Sequence, residues 1–335
     1  MTATAPELGL IDVTNEEHHA IRALSNSGMA DLAVSTLRYW YHHVNPAPKP
    51  DDEETVSQRM GSALHCAVLE SEQTFEERYA CELDASVWPV CLDTIADIRG
   101  WITDKGHKPK GTAKADVTRQ ALDLMEAIGE RVPILEVEKA RFFAQNKGKT
   151  ILNVEEWERV AGMAQALLDE PSLKPILAKG CPEQTIVARD PETGVLLKSR
   201  LDWMHPKVTL DLKTFTQRRG KSIDKSIHDA IVYERYYIAA YFYSYVRSLA
   251  SNEPLDRAVF VEAFVESDQP HETRIKSFMP KTGGNVNMYW ELARVEVRRM
   301  IRLYADCLKK YGDEPWRDKQ EVSTLTDEDV KSLAW

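Results

Sequence analysis

The sequence is poor in the features that mark several large protein classes. Its five cysteines, Cys66, Cys81, Cys91, Cys181 and Cys307, are odd in number and form no Cys-x-x-Cys pair. That argues against a disulfide framework, a zinc finger and an iron-sulfur cluster, and reads as reduced thiols. The opening MTATAPELGLIDVT has neither a basic start nor an apolar run of the signal-peptide kind. The most apolar window, Tyr236 to Val246, is about half of the roughly 20 residues a membrane helix needs. A soluble, cytoplasmic protein with no membrane partner is therefore expected. No G-x-x-x-x-G-K-[ST] occurs, so the chain is not itself a nucleotide-driven motor, and no internal repeat is present. Nor is there a basic excess: 43 basic against 53 acidic residues give a net charge of -10, which excludes coating of nucleic acid through bulk charge while leaving room for a local basic groove.

What is present suits a globular protein of 335 residues, with 43% apolar and 29% charged side chains, long enough for one large domain or a core with an appended helical part. Residues 18 to 44 read as helical and end at the prolines of NPAPKP. The acidic segment DDEET follows, and then a helix around Met60, Ala63, Leu64, Ala67 and Val68 that sets His65 beside its apolar stripe. The pairs His18-His19 and His42-His43 read as surface or linker histidines, since neighbours on a helix do not face each other. Two helices are expected around a lysine-rich loop at 105 to 114. VEEWERVAGMAQALLDEP predicts an amphipathic helix with Trp157, Val160, Ala161, Ala164, Leu167 and Leu168 on one stripe. Three strands then occupy 184 to 213 as a meander, followed by a tyrosine-rich helix from about Asp224 to Leu249. Two further strands at 257 to 267 and 272 to 280 precede a closing helix from about Val286 to Tyr311. The order suits an α/β fold with a central mixed β-sheet flanked by helices.

The chemistry-bearing stretch is KSRLDWMHPKVTLDLKT, Lys198 to Thr214. Residues two apart on a strand share a face, so Asp211 and Lys213 lie together, and Asp202 on the preceding strand can sit across from them. Two carboxylates and an amine converging there suit a divalent cation held by oxygen ligands beside a nucleophilic water. An internal salt bridge is the plainer alternative. The apolar Val208, Leu210 and Leu212 place these polar groups in a sheet interior, where they are costly unless paired or bound to a metal. A second basic patch, Arg218, Arg219, Lys221 and Lys225, follows the strand and could meet a phosphate backbone, as could Lys108 and Lys110 of the first. Tyrosines of the long helix, Tyr236 among them, could stack on bases, although core packing explains such residues equally well.

Taken together, SNSGMADLAVSTLRYWYHHVNP, MGSALHCAVLE, ILNVEEWERVAGMAQALLDEPSLKPIL, PEQTIVARDPETGVLLKSRLDWMHPKVTLDLKT and YERYYIAAYFY resemble, in that order and across roughly residues 25 to 245, the RecE-like (exonuclease VIII type) branch of the PD-(D/E)xK nuclease superfamily. The resemblance implies a restriction-endonuclease-like core. It assigns Asp202, Asp211 and Lys213 as catalytic and His65, Asp202, Asp211 and the Leu212 backbone carbonyl as metal ligands, with Glu183 as a further acidic position. It implies Mg2+ or Mn2+, and 5'-to-3' digestion of one strand at double-stranded DNA ends in a bacterial or phage-infected cell. The 3' overhangs would serve recombination with a single-strand annealing protein, and a homo-oligomeric ring is expected. The nuclease domain would span 51 to 315 with a helical insertion at about 92 to 130, after a helical and Pro-rich segment at 1 to 50 and before a tail at 316 to 335. Ala239 stands where the family's tyrosine helix usually carries glutamine. A non-catalytic DNA-binding relative, an endonuclease and a RecB-type nuclease module are the alternatives.

Overall fold

The structure, a computed structural model, describes residues 7–47, 54–251 and 253–317. The chain divides into two compact units, residues 55–165 and the segments on either side of them. The expected insertion at about 92–130 falls within the first unit. Most of the acidic segment and the end of the Pro-rich linker, at 48–53, lie outside the described residues, as does the tail from 318 onward.

The 55–165 unit is helical apart from a short parallel pair, Tyr79–Cys81 with Thr150–Leu152. Several of its helices start at side-chain caps. Thr55 with Gln58 and Thr94 with Asp97 form reciprocal capping boxes at the helices Val56–Leu69 and Ile95–Asp104. Ile98, Ile102, Val117, Ala121, Met125 and Ile134 build a core under the lysine-rich loop. Helix Val154–Asp169 departs from the expected stripe, because Ala161 and Leu168 are exposed while Glu156 is buried with Val160, Met163, Ala164 and Leu167. The cause is Glu156, whose carboxylate accepts the Asn153 N–H at 3.1 Å and pairs with Arg59, so a charged side chain takes a place that a count of apolar residues gives to another.

The other unit holds a six-stranded mixed sheet flanked by helices, as expected. Its strands are β1 (Gly9–Ile11), β2 (Cys181–Arg189), β3 (Leu196–His205), β4 (Val208–Phe215), β5 (Phe260–Glu266) and β6 (Thr273–Phe278), side by side in chain order. Neighbours are antiparallel except β4 and β5, which run parallel. A parallel pair needs a crossover, and α4 (Ile223–Tyr233) and α5 (Tyr236–Ser251) supply it. The single helix expected from 224 to 249 is thus two. Arg235 breaks it at φ +57°, and the break carries no glycine or proline to announce it; Arg235 instead ion-pairs at 3.0 Å with Glu296 on α6 (Met288–Tyr311).

The N-terminal segment is not separate from this unit. In place of one helix over 18 to 44 there are three, α1 (Asn15–Ala20), α2 (Asn26–Val34) and α3 (Thr36–His43), the last two capped by the hydroxyls of Ser25 and Ser35. Between the first two, Leu24 bridges Leu197 of β3, and β1 pairs with β2. His18 is correspondingly buried rather than a surface residue, with Nδ1 3.3 Å from Thr185 Oγ1, whereas His43 pairs with Asp31 at 2.9 Å on the surface side. The apolar core joins Leu24, Ile186, Leu197, Leu201, Phe260 and Phe264 to one face of α5 and to α6. Trp316, assigned to a tail, is fully buried and stacks on Tyr39 at 5.0 Å, because the chain after Gly312 turns back against the third helix. The β2–β3 turn is locked into this core by Asp190. Its buried carboxylate accepts from Thr193, from Tyr245 on α5 at 2.6 Å and from Arg298 on α6 at 2.8 Å.

Candidate metal centre

Four carboxylates stand at one level across four adjacent strands. Pro182↔Trp203 and Gln184↔Leu201 set Glu183 opposite Asp202, and continuing the Trp203↔Leu210 register one step sets Asp202 beside Asp211. Asp211 in turn is the register partner of Glu262 on β5. Glu183 and Asp202 each offer an oxygen, and the two lie within 4.8 Å of one another. Glu183 does so from a left-handed backbone, φ +54°, an uncommon conformation for a residue inside a strand. Arg200 holds its carboxylate, Nε to Oε2 2.6 Å, and also donates to Thr185 Oγ1 and the Val13 carbonyl.

The sheet opens at this level. The edge of β3 that β4 occupies at 203–205 is taken at Leu197 by Leu24, so residues 198–202 face a gap. A cleft of about 200 Å3 lies there, lined in part by Asn26, Lys198, Ser199, Arg200 and Tyr243. Where a ladder carbonyl would otherwise stand, Asp202 Oδ2 accepts the Leu212 N–H at 3.2 Å. An aspartate that replaces a strand neighbour in this way is fixed in direction by the backbone it binds.

On β4 the Lys213 ammonium ion-pairs with Asp211 and sits 5.3 Å from the ring centre of Tyr236. Burial works against its charge, but Asp211 and Asp202 outweigh burial and hold Lys213 above the usual lysine range. Glu262 is fully buried, and neither of its oxygens has a hydrogen-bond partner among the described residues. Burial first, and then the neighbouring Asp211, push its carboxyl well above the usual range, against the pull of Lys213. Tyr243 is likewise raised, by burial and then by Asp211.

The structure therefore gathers Glu183, Asp202, Asp211 and Lys213 in the sheet and adds Glu262 and Arg200, which the sequence reading passed over, and Tyr243, which it took only as one of the tyrosines of the long helix. Glu262 did leave a signal, a carboxylate in the middle of the apolar run RAVFVEAFVES. Arg200 left none beyond its position. Leu212 lies in the β4–β5 ladder opposite Ala263. His65 is half-buried on its helix in the 55–165 unit. Lys108 and Lys110 are exposed there on a loop pinned by the Gln120 side chain, while Lys105 and Lys114 pair with Glu130 and Glu136. Arg218 and Arg219 are exposed beyond β4, with Arg218 6.0 Å from the Tyr233 ring centre. Lys221 and Lys225 spend their charge on Asp229, whose carboxyl these two lysines hold down at about 2. All five cysteines are free thiols, and no helix among the described residues is long and apolar enough to cross a membrane.

No protein-family model matches the chain, and no curated protein matches it. Among solved structures it is similar to a chain from Eubacterium rectale named "Putative exonuclease", at 14% identity and a TM-score of 0.48, over 97% of this chain and 98% of that one.

Proposed function

We propose that the protein is a divalent-metal-dependent deoxyribonuclease, acting as a 5'-to-3' exonuclease on linear double-stranded DNA and leaving 3' overhangs. The observation that carries the reading is the set of Asp202, Asp211 and Lys213 on adjoining strands, with Lys213 held as an ammonium against the two carboxylates. Their donor chemistry fits a hard cation such as Mg2+ or Mn2+, which takes carboxylate, carbonyl and water oxygens. The buried, unpartnered oxygens of Glu262 beside Asp211 fit it as well. Asp202, Asp211, the Leu212 carbonyl and Glu183 would hold the ion. His65, assigned on the resemblance alone, would add a nitrogen.

Such an ion, when bound, polarises the scissile phosphate and lowers the pKa of a bound water. The protein's own part is positional. The Leu212 amide fixes Asp202, Arg200 fixes Glu183, and Lys213 points an ammonium at the place where phosphate charge grows, where it donates hydrogen bonds and neutralises that charge. Arg218 and Arg219 would take backbone phosphates on the way in. A ring-shaped homo-oligomer and an annealing partner belong to the same reading.

A second reading, a non-catalytic DNA-binding relative, draws on the closed Lys213–Asp211 ion pair and on Ala239, buried in α5 where the family usually has glutamine. Mg2+-dependent degradation of linear against circular duplex DNA separates the readings. Asp211→Asn and Lys213→Ala should each lower the rate on linear DNA by about 100-fold or more. A wild-type rate in Lys213→Ala removes the mechanism, and equal cutting of circles removes the exonuclease.

A further inference from the structure

Glu262 stands beside Asp211 but is not among the residues named above as holding the ion, and its surroundings leave little else for it to do. It lies next to the central residue of β5, a strand buried at every residue. On one side its register partner is Asp211, itself buried; on the other it is Lys276, the one cation opposite it in the ladder. Lys276 turns away to Asp224 on α4 at 3.1 Å, and Lys213 is engaged with Asp211. Both Glu262 oxygens are left without hydrogen bonds among the described residues. A fully buried carboxylate with no donor is costly to keep, and packing gives no reason to keep one in an otherwise apolar strand, where valine would fill the place.

We propose that Glu262 is a further cation ligand, which shares with Asp211 a divalent ion seated on the face of the β4–β5 pair that the two side chains share. Paired positions on neighbouring strands stand about 4.8 Å apart, a spacing that two carboxylates can close around one ion at 2.0–2.6 Å from each oxygen. The inference rests on the metal-dependent reading above and extends its ligand set inward from the half-buried Glu183 and Asp202 to a buried pair. The β5 strand thereby becomes part of the site.

The test titrates Mn2+ calorimetrically into the full chain and follows thermal melting with and without the ion. Wild type should bind Mn2+ and melt higher with it. Glu262→Gln keeps the shape and removes the ionisable carboxyl and the charge demand of its buried, unpartnered oxygens, so it should melt at or above wild type without metal. It should bind Mn2+ at least about 10-fold more weakly, since losing a ligand costs no less than losing an outer partner. Glu262→Asp, one methylene shorter, keeps the carboxylate, serves if the amide fails to fold, and should also bind more weakly than wild type. Wild-type affinity in either variant overturns the assignment. So does a lower metal-free melting temperature in Glu262→Gln with an unchanged Mn2+-induced rise, the mark of a purely structural residue. If wild type binds no Mn2+, the metal-dependent reading itself falls; weakening by Asp202→Asn but not by Glu262→Gln sinks only the present inference.

Discussion

His18 gives a pH dependence whose size follows from the structure. Burial first, and then the nearby charges of Lys198, His19 and Arg200, lower its pKa from 6.5 to about 4. The ring lies against β2 at Thr185, and the same Lys198 ammonium caps the end of the Asn15–Ala20 helix through the carbonyls of His18, His19 and Ile21 at 2.8, 3.1 and 2.9 Å. The unfolded chain takes up its proton near pH 6.5 and the folded chain only near pH 4. Between those values the unfolded state binds more protons, so stability is full above pH 6.5 and is lost as pH falls towards 4. At 1.36 kcal/mol per pKa unit the window is worth about 3 kcal/mol, an upper figure because the helix can loosen to let the ring charge. The assay is urea unfolding of wild type and His18→Gln at intervals from pH 7 to pH 4. Carboxylates titrate in both proteins, so the difference between them isolates His18. The glutamine variant has no ring to titrate, and the wild-type advantage at pH 7 should shrink by about 2–3 kcal/mol by pH 4. Lys198→Met, which removes the second cause, should move the window upward. Parallel stability curves for wild type and His18→Gln would refute the reasoning.

Three further outcomes are expected. Trp316→Ala should destabilise by about 3–5 kcal/mol in urea unfolding, since its fully buried indole packs on Tyr39 and Tyr304; a loss under about 1 kcal/mol would return it to a tail. Gly180→Ala would bring a Cβ to 2.8 Å from the Met204 carbonyl and closer still to the Trp203 ring, so it should cost about 1–3 kcal/mol, checked by the same unfolding curves. Neutralising Arg218 and Arg219, both exposed, should weaken duplex binding on any sequence and reduce the slope of log affinity against log salt by about 1 for each phosphate that the protein then leaves to its counterions. Lys225→Ala, already paired with Asp229, should leave the slope unchanged.

The strands and the polar set on them were legible because they depend on local rules. VTLDLKT alternates, Pro206 marks the turn before it, and side chains two apart on a strand share a face, so Asp211 and Lys213 meet whatever the rest of the chain does. Ser25 and Ser35, whose hydroxyls cap the second and third helices, are the local signals that divide the segment 18 to 44. Other features depend on residues far apart in the chain. Arg235 breaks the tyrosine helix where Glu296, 61 positions on, meets it. His18 is buried because a strand 167 positions later lies against it.

The gap between β3 and β4 is of the same non-local kind, and it makes the polar cluster more than a salt bridge. If β3 paired with β4 along its whole length, the Leu212 N–H would go to a β3 carbonyl and Asp202 would be one more side chain on a sheet face. Leu24 takes that edge at Leu197, the ladder stops at Trp203, and the Asp202 carboxylate serves the backbone in its place. A side chain held by its own sheet cannot swing out to solvent to relieve repulsion from Asp211. The strand beyond, buried throughout, gives Glu262 no way out either. Lys213 supplies one positive charge to a group that holds Asp202, Asp211 and Glu262 at adjoining positions. The sheet thus fixes more carboxyl groups than its own cations neutralise; on the proposed function a divalent ion would balance them, and without it the proton that burial favours on Glu262 does so.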